Sequence, residues 1–296
     1  MSKNLDALDM DYGKHPDFLG SRVIFDSEKG YHRTEPYPTE EVLEKFYSSD
    51  YRKIRNESPD EGYLQFMKHR AEAQSKFIFS RSARDRFSTV LDVGCGCGEL
   101  LAALKPKAAK LVGFETDVVM SNHAKKHCDD EVTDIRTEHF SFQDKSLSAD
   151  LVVMSHVLEH IPHPEPFLSE LRTTTLSPEG VLFLEVPNEP EHWVRKQIEW
   201  KRTGLGHVNY FTPDPLRRLL ERAGFKRIEI RETGKTVREH VAKSRPRPVI
   251  LRKIQNRLHR IIPPQLELPA YDKQGGAEPR IFLQVIAFAS KKEELK

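Results

Sequence analysis

Val90-Leu91-Asp92-Val93-Gly94-Cys95-Gly96-Cys97-Gly98-Glu99-Leu100 is the stretch from which the fold can be read. An apolar run closes on an acid, glycines follow at every second position, and a helical pattern begins directly after them. This is a strand, a tight turn and a helix. Glycine lets a backbone turn sharply at a strand end and come close to a ligand. The turn also leaves the first amides of the next helix facing outward. The spacing is G-x-G-x-G, with Glu99 where a dinucleotide fingerprint places its third glycine. A nicotinamide cofactor is therefore disfavoured.

Outward from this turn, short apolar runs alternate with helical segments. STVLDV (88–93), KLVGFE (110–115), ADLVVMS (149–155) and GVLFLEV (180–186) read as strands, with helices expected over 97–105, 117–127 and 164–175. A weaker strand is expected within 131–137. Runs without polar alternation mark strands buried on both faces, hence a parallel sheet. Their alternation with helices means a doubly wound α/β fold. Thr212, Pro213 and Gly224 punctuate a further helix, 212–224, as N-cap, first helical residue and stop. Strands over 225–232 and 280–290 close the pattern, separated by an insertion, 233–279, of a length that compact domains rarely carry without purpose.

Nineteen residues beyond Gly96, at the end of the next apolar run, stands Glu115. An acid at that place can accept hydrogen bonds from both hydroxyls of a ribose. Glycine turn and acid together define a site for a ribose-bearing cofactor.

At this point the chain resembles the class I S-adenosylmethionine-dependent methyltransferases, in their small-molecule and sugar-type branch. LDVGCGCG is similar to their first motif and LVGFETD to their second, DLVVMSHVLEHI (150–161) to their fourth-strand motif and VLFLEVPN (181–188) to their fifth strand. The resemblance implies a Rossmann-like sheet of seven strands with the last antiparallel, S-adenosyl-L-methionine as cofactor and S-adenosyl-L-homocysteine as product. It implies that Gly94, Cys95, Gly96 and Gly98 pass the methionine part, that Asp92 orients the loop or meets the amino group, and that Glu115 binds the ribose. Thr116 and Phe140 would lie by the adenine, and Ser155 and His156 would face the reactive end.

His207 stands in G-H-V-N-Y-F-T (206–212), and its H-x-N-x-F-T pattern resembles a loop of the same branch. Methyl transfer to oxygen or nitrogen needs an aimed nucleophile and a place for its proton. His207 is the expected base, because a free imidazole titrates near neutrality, and His156 is the second catalytic candidate. Asn209 and Tyr210 are expected to line the acceptor pocket, with Glu185, Asn188 and His192 as rivals. The cluster His156, Glu159, His160 and His163 departs from H-E-x-x-H, so no metal is expected there. Glu159 should bond neighbouring backbone and His160 should pack. Trp193 and Trp200, seven apart, share a helical face and should dock it on the core.

The chain divides into an N-terminal arm and helical extension, 1–59, and a methyltransferase domain, 60–296. The arm carries one or two strands near Arg22–Phe25 and a helix over 39–50 started by Thr39, and a longer helix follows over 60–82. Residues 31–51 are similar to a segment that follows a zinc-binding cysteine cluster in sugar methyltransferases, but this chain has no cysteine before Cys95. Between 235 and 260 stand nine Lys or Arg and one acid, and the apolar residues of 247–262 recur at helical spacing, a basic amphipathic helix.

The whole carries 47 basic and 45 acidic residues, so no global field steers it to nucleic acid. Three cysteines support no disulfide framework, no apolar run reaches transmembrane length, and the first 30 residues have no apolar signal core. A cytoplasmic enzyme with a small-molecule acceptor is expected. RNA methylation through the 235–260 segment and a non-catalytic partner-binding role are the alternatives.

Overall fold

The runs expected as strands are buried on two faces because each has packing partners on both. In the computed structural model, which describes residues 9–47, 51, 59–128, 130–144, 147–201, 205–233 and 282–290, four parallel strands form the centre. They are β4 (Phe87–Val93), β5 (Ala108–Phe114), β7 (Ala149–Ser155) and β8 (Leu176–Pro187), with β6 (Thr133–Arg136) at one edge. Successive side chains alternate between two cores: Leu151 and Val153 join Val90, Leu111 and Phe183 on one face. Val152 and Met154 join Leu91, Val112 and Leu184 on the other. Each such fully buried side chain contributes about 1.5–3 kcal/mol relative to exposure.

β10 (Lys226–Thr233) and β11 (Phe282–Phe288) complete a sheet of order β10-β11-β8-β7-β4-β5-β6, with β11 antiparallel to both neighbours. This is the expected seven-stranded topology. The expected insertion, 233–279, and its basic helix, 247–262, lie outside the described residues except for Thr233.

Helices α2 (Glu61–Ser82), α3 (Glu99–Leu104) and α4 (Val118–Cys128) lie on one side of the sheet, and α5 (Pro164–Glu170) and α7 (Pro213–Arg222) on the other. Two of these differ from expectation. The helix expected over 164–175 is α-helical only to Glu170 and ends in a π-helical turn, Leu171–Thr175. Thr173 and Thr174 hydroxyls donate to the carbonyls of Ser169 and Glu170 at 3.0 and 2.8 Å, competing with the regular ladder. Thr212 stands at the N-cap of α7 as expected, but its side chain makes no cap bond.

The arm is more ordered than its polar sequence suggests. It begins with three strands, β1 (Met10–Lys14), β2 (Arg22–Asp26) and β3 (Tyr31–Glu35), followed by α1 (Glu40–Lys45), whose N-cap is Thr39. The strands form an antiparallel sheet whose fourth strand is β9 (Asn209–Tyr210), in the loop before α7. Strand signals are weak here because β1 is largely exposed. Behind the sheet packs α6 (Glu191–Glu199), through Val194 and Ile198 against Val23, Tyr12 and Tyr210. Docking thus falls to these aliphatics and not to both tryptophans: Trp200 is 59% exposed and shares the Lys196 ammonium with Trp193.

Phe211 joins arm and sheet, fully buried with its ring 5.4 Å from Tyr31. Phe211→Ala should lower unfolding free energy by about 3–5 kcal/mol in urea titration, and a loss below ~1 kcal/mol would show that the arm is not anchored there.

Candidate functional site

Parallel strands deliver their carboxyl ends to one edge, and the chemistry-bearing residues follow from those ends. After β4 the glycine turn closes back on β5: the amides of Gly94 and Cys95 both donate to the Phe114 carbonyl, at 2.8 and 2.9 Å. Gly94, Gly96 and Gly98 all have positive φ. Their surroundings divide them. A Cβ on Gly94 would stand 2.6 Å from Val157 Cγ2, and one on Gly98 would stand 2.8 Å from Cys128 Sγ. Those two glycines are also required by close packing. A Cβ on Gly96 would meet nothing within 4 Å. The open face of the turn is there. Cys95 turns its buried side chain toward Gly113 and offers the site only backbone.

Glu115 faces the same opening. Its carboxylate accepts from the amides of Gly96 and Asp117, each at 2.8 Å. Asp92 lies beneath, 2% exposed, and its Oδ1 has no hydrogen-bond partner among the described residues. Burial, with the charge of Glu115 added, pushes its carboxyl up to about 8. Thr116 is exposed beside Glu115, and Phe140 is half-buried, edge-on to Phe114 at 5.4 Å.

A second group forms where β7 and β8 end. Ser155 Oγ accepts from Arg70 Nη2 at 3.1 Å and Gln74 Nε2 at 3.0 Å, both from α2. Arg70 Nε donates to Glu185 Oε1 at 2.7 Å, and Gln284 donates to the other oxygen. Burial opposes the charge on Glu185, but Arg70, His156 and Gln284 outweigh it and hold its carboxyl well below the usual carboxylate range. Glu185 is thereby held as the fixed carboxylate of an ion pair with Arg70. His156 follows with φ +58°, a left-handed conformation rare outside glycine. Its Nδ1 lies 3.2 Å from Glu159 Oε1 and its Nε2 3.6 Å from Glu185 Oε1.

A third group brings residues 159–160 to the loop before α7. The Val208 amide donates to the Glu159 carbonyl at 2.8 Å. Glu159 was expected to bond backbone through its side chain. Instead its carboxylate is fully buried, with no hydrogen-bond partner on Oε2 among the described residues. Burial works against this charge, and the imidazoles of His156 and His160 outweigh it, holding the carboxyl down at about 2. His160 Nδ1 sits 3.0 Å from the Gly206 carbonyl and 2.7 Å from the Tyr47 hydroxyl. Burial holds His160 down at about 4, against the pull of Glu159. His207 Nδ1 sits 3.0 Å from Glu189, whose other oxygen accepts from Gln197 Nε2 at 2.6 Å. One donor atom from each of Glu159, His160 and His207 lies within 4.8 Å of the other two.

The remaining candidates are structural or remote. Asn209 is a buried cross-brace, accepting from Tyr37 Oη at 2.7 Å and donating to the Ile161 carbonyl at 2.8 Å. Tyr210 is buried with its hydroxyl 3.3 Å from His15 Nε2. Neither has a face to offer an acceptor. His192 is exposed against Trp193, and Asn188 bonds Glu232 at 3.2 Å, so neither joins the histidine cluster. Glu189, Arg70 and Gln74 belong to the site without having been expected. Arg70 and Gln74 share a face of α2 at i, i+4, the one signal that pairs them.

A family model described as a methyltransferase domain matches residues 63–230. The ubiquinone biosynthesis O-methyltransferase of Histophilus somni (strain 2336) is 34% identical over 107 residues, covering 33% of this chain and 44% of its own. That of Haemophilus ducreyi is 31% identical over 107 residues, 33% of this chain and 45% of its own. The match thus spans a little under half the length of these relatives. Among solved structures, a Haloferax volcanii methyltransferase in complex with the Trm112 methyltransferase activator superposes with TM-score 0.53 at 16% identity, covering 82% of this chain and 98% of that one. The plantazolicin methyltransferase BpumL, in complex with a monoazolic desmethylPZN analog and SAH, gives 0.50 at 16% identity, 84% of this chain and 94% of its own. Both structural likenesses concern the fold.

The unpartnered Asp92 makes a pH prediction. Folded, its carboxyl holds a proton up to about pH 8, whereas the unfolded chain releases it near pH 4. Stability contributed by this group therefore falls as pH rises from about 4 to 8. Asp92→Asn should flatten that slope, so that in urea unfolding the variant gains on the wild type between pH 5 and 8.5. A constant difference would mean that Asp92 is already ionised and partnered.

Proposed function

The chain belongs to the class I S-adenosylmethionine-dependent methyltransferases, and on that premise we propose that it transfers a methyl group to an oxygen or nitrogen of a small-molecule or sugar-linked acceptor. The observation that carries the reading is the opening over Gly96, with the Glu115 carboxylate at its rim and the unpartnered Asp92 at its floor. S-adenosyl-L-methionine, when bound, supplies a methyl group activated on a sulfonium sulfur. The residues present fit it. Glu115 would hold the ribose, the Gly96 backbone would approach the methionine part, and Thr116 and Phe140 would flank the adenine. Asp92, protonated up to about pH 8 in this structure, would ionise against the ligand's ammonium.

The acceptor belongs beside His156. Of the two histidines expected to be catalytic, His156 has a side chain 26% exposed and His207 one 9% exposed. With Nδ1 toward Glu159, His156 presents Nε2 for the proton; that atom is buried, without a hydrogen-bond partner among the described residues, so the acceptor's hydroxyl would have to enter beside Glu185 to reach it. The imidazolium formed when it takes the acceptor's proton lies between the carboxylates of Glu159 and Glu185. His156 is therefore our choice as general base, and His207 stands behind it. The strained φ of His156 agrees with such a role, since strain of this kind collects at functional sites. A small acceptor is favoured over a polymer because the arm covers this corner: His15, Tyr37 and Tyr47 all bond to residues of the 206–209 loop. The similarity to O-methyltransferases of ubiquinone biosynthesis supports oxygen as the atom methylated.

Two substitutions test the two halves of the site. Gly96→Asp should abolish binding of S-adenosyl-L-homocysteine in calorimetry, and unchanged affinity would reject the cofactor site. His156→Ala should leave that affinity within a few-fold. It should lower S-adenosyl-L-homocysteine formation, across a panel of phenolic and sugar-hydroxyl acceptors, by roughly 10²–10⁴. Near-normal turnover in this variant would remove His156 from proton transfer and return His207 to consideration.

A further inference from the structure

We infer that Glu159, His160 and His207 form a binding site for one first-row divalent cation of the zinc type. The inference rests on chemistry that the fold assembles from two distant stretches of chain. The Val208 amide to Glu159 carbonyl bond fixes one stretch against the other, and three donor atoms converge within 4.8 Å. His160 Nε2 already stands 3.9 Å from Glu159 Oε1. Ligand atoms around a cation with bonds of about 2.1 Å lie about 3–4 Å apart, so small side-chain rotations complete the geometry.

Both imidazoles are presented in the tautomer that a metal needs. The Tyr47 hydroxyl donates to the Gly206 carbonyl at 3.0 Å, so His160 donates its Nδ1–H to Tyr47 Oη at 2.7 Å, and His207 donates its Nδ1–H to the Glu189 carboxylate. Each ring then carries its lone pair on Nε2. Glu189 is itself fixed by Gln197 at 2.6 Å. Histidines oriented through their far nitrogen by a carbonyl or a hydrogen-bonded carboxylate are the usual outer layer of a metal centre.

The carboxylate gives an independent observation. Glu159 is completely buried, and its Oε2 has no hydrogen-bond partner among the described residues. Buried polar groups are almost always satisfied, and a buried carboxylate needs compensation most. His156 Nδ1, at 3.2 Å, offsets one side. A cation between Glu159, His160 and His207 supplies the rest.

The donor set selects the ion. Two imidazoles and one carboxylate suit zinc, iron(II) or cobalt(II), with coordination positions left for water or an acceptor oxygen. Magnesium prefers an all-oxygen shell. A competing imidazole pair among the described residues is His123 and His127 on α4, stacked at 4.2 Å.

Cation binding needs neither cofactor nor acceptor, so its test is separate from that of methyl transfer. Full-length protein is treated with a chelator, checked for native circular dichroism, and titrated calorimetrically with Zn²⁺. One equivalent should bind, and Mg²⁺ should give no comparable isotherm. Co²⁺ should produce a visible ligand-field band with no near-ultraviolet thiolate charge-transfer band. Glu159→Gln should weaken Zn²⁺ by more than about 100-fold, and Glu189→Gln by roughly 10–100-fold. A variant carrying both His123→Ala and His127→Ala should bind as the wild type does. The proposal is overturned if the folded wild type takes up no stoichiometric Zn²⁺, if Co²⁺ reports thiolate ligation, if folded Glu159→Gln binds normally, or if the His123/His127 variant alone loses binding. Where Glu159→Gln does not fold, the Glu189→Gln and His123→Ala/His127→Ala variants decide the matter.

Discussion

Taking a carboxylate out of water costs several kcal/mol unless charge or hydrogen bonds replace the solvent, and this fold does so repeatedly along one edge of its sheet. Asp92, Glu115, Glu159, Glu185 and Glu189 are all at most 8% exposed. Three are compensated from within. Glu115 has the amides of Gly96 and Asp117, Glu185 has Arg70 and Gln284, and Glu189 has Gln197 and His207. Asp92 and Glu159 carry atoms left without hydrogen-bond partners among the described residues. The two incompletely satisfied acids lie under the glycine turn and among the histidines, the two places for which a cofactor and a cation are proposed.

The supports explain why the arm matters to the site. The loop holding His207 has little regular structure of its own, since β9 is two residues long. It is held by β3 through pairing at Arg33 and His32, by His15 on the His207 carbonyl, and by Tyr47 on the Gly206 carbonyl. Phe18, Phe46 and Val208 close an apolar cluster over the same loop. Because these bonds go to backbone, they fix where the imidazoles point without competing for their Nε2 atoms.

Much of the fold was legible because its signals are local. Doubly buried strands appear as continuous apolar runs, and the turn after β4 announces itself by its glycines. What the sequence could not show depends on distance along the chain. Arg70 meets Glu185 across 115 residues, and Tyr47 meets His160 across 113. No spacing rule links Glu159 to His207. The glycines teach the same lesson at short range: Gly94, Gly96 and Gly98 look equivalent in sequence, and only their neighbours reveal that two are demanded by Val157 and Cys128 while one borders open space. The arm's strands were partly hidden because an exposed edge strand such as β1 carries little apolar patterning.

His156 shows how the supports and the chemistry are connected. A left-handed backbone at a non-glycine residue costs on the order of 1–3 kcal/mol and persists only where its surroundings insist on it. Here they do: the His156 amide donates to the Glu185 carbonyl at 2.8 Å, and Ser155 immediately before it is clamped by Arg70 and Gln74. On the other side, Val157 is pressed against Gly94 so closely that no Cβ fits between them. The strain is carried by the sheet core, through the fully buried Met154 and Leu184 just upstream. A conformation imposed from both sides in this way fixes the imidazole between Glu159 and Glu185 before any ligand arrives. The buried sheet, which has no chemistry of its own, thereby determines where this imidazole points.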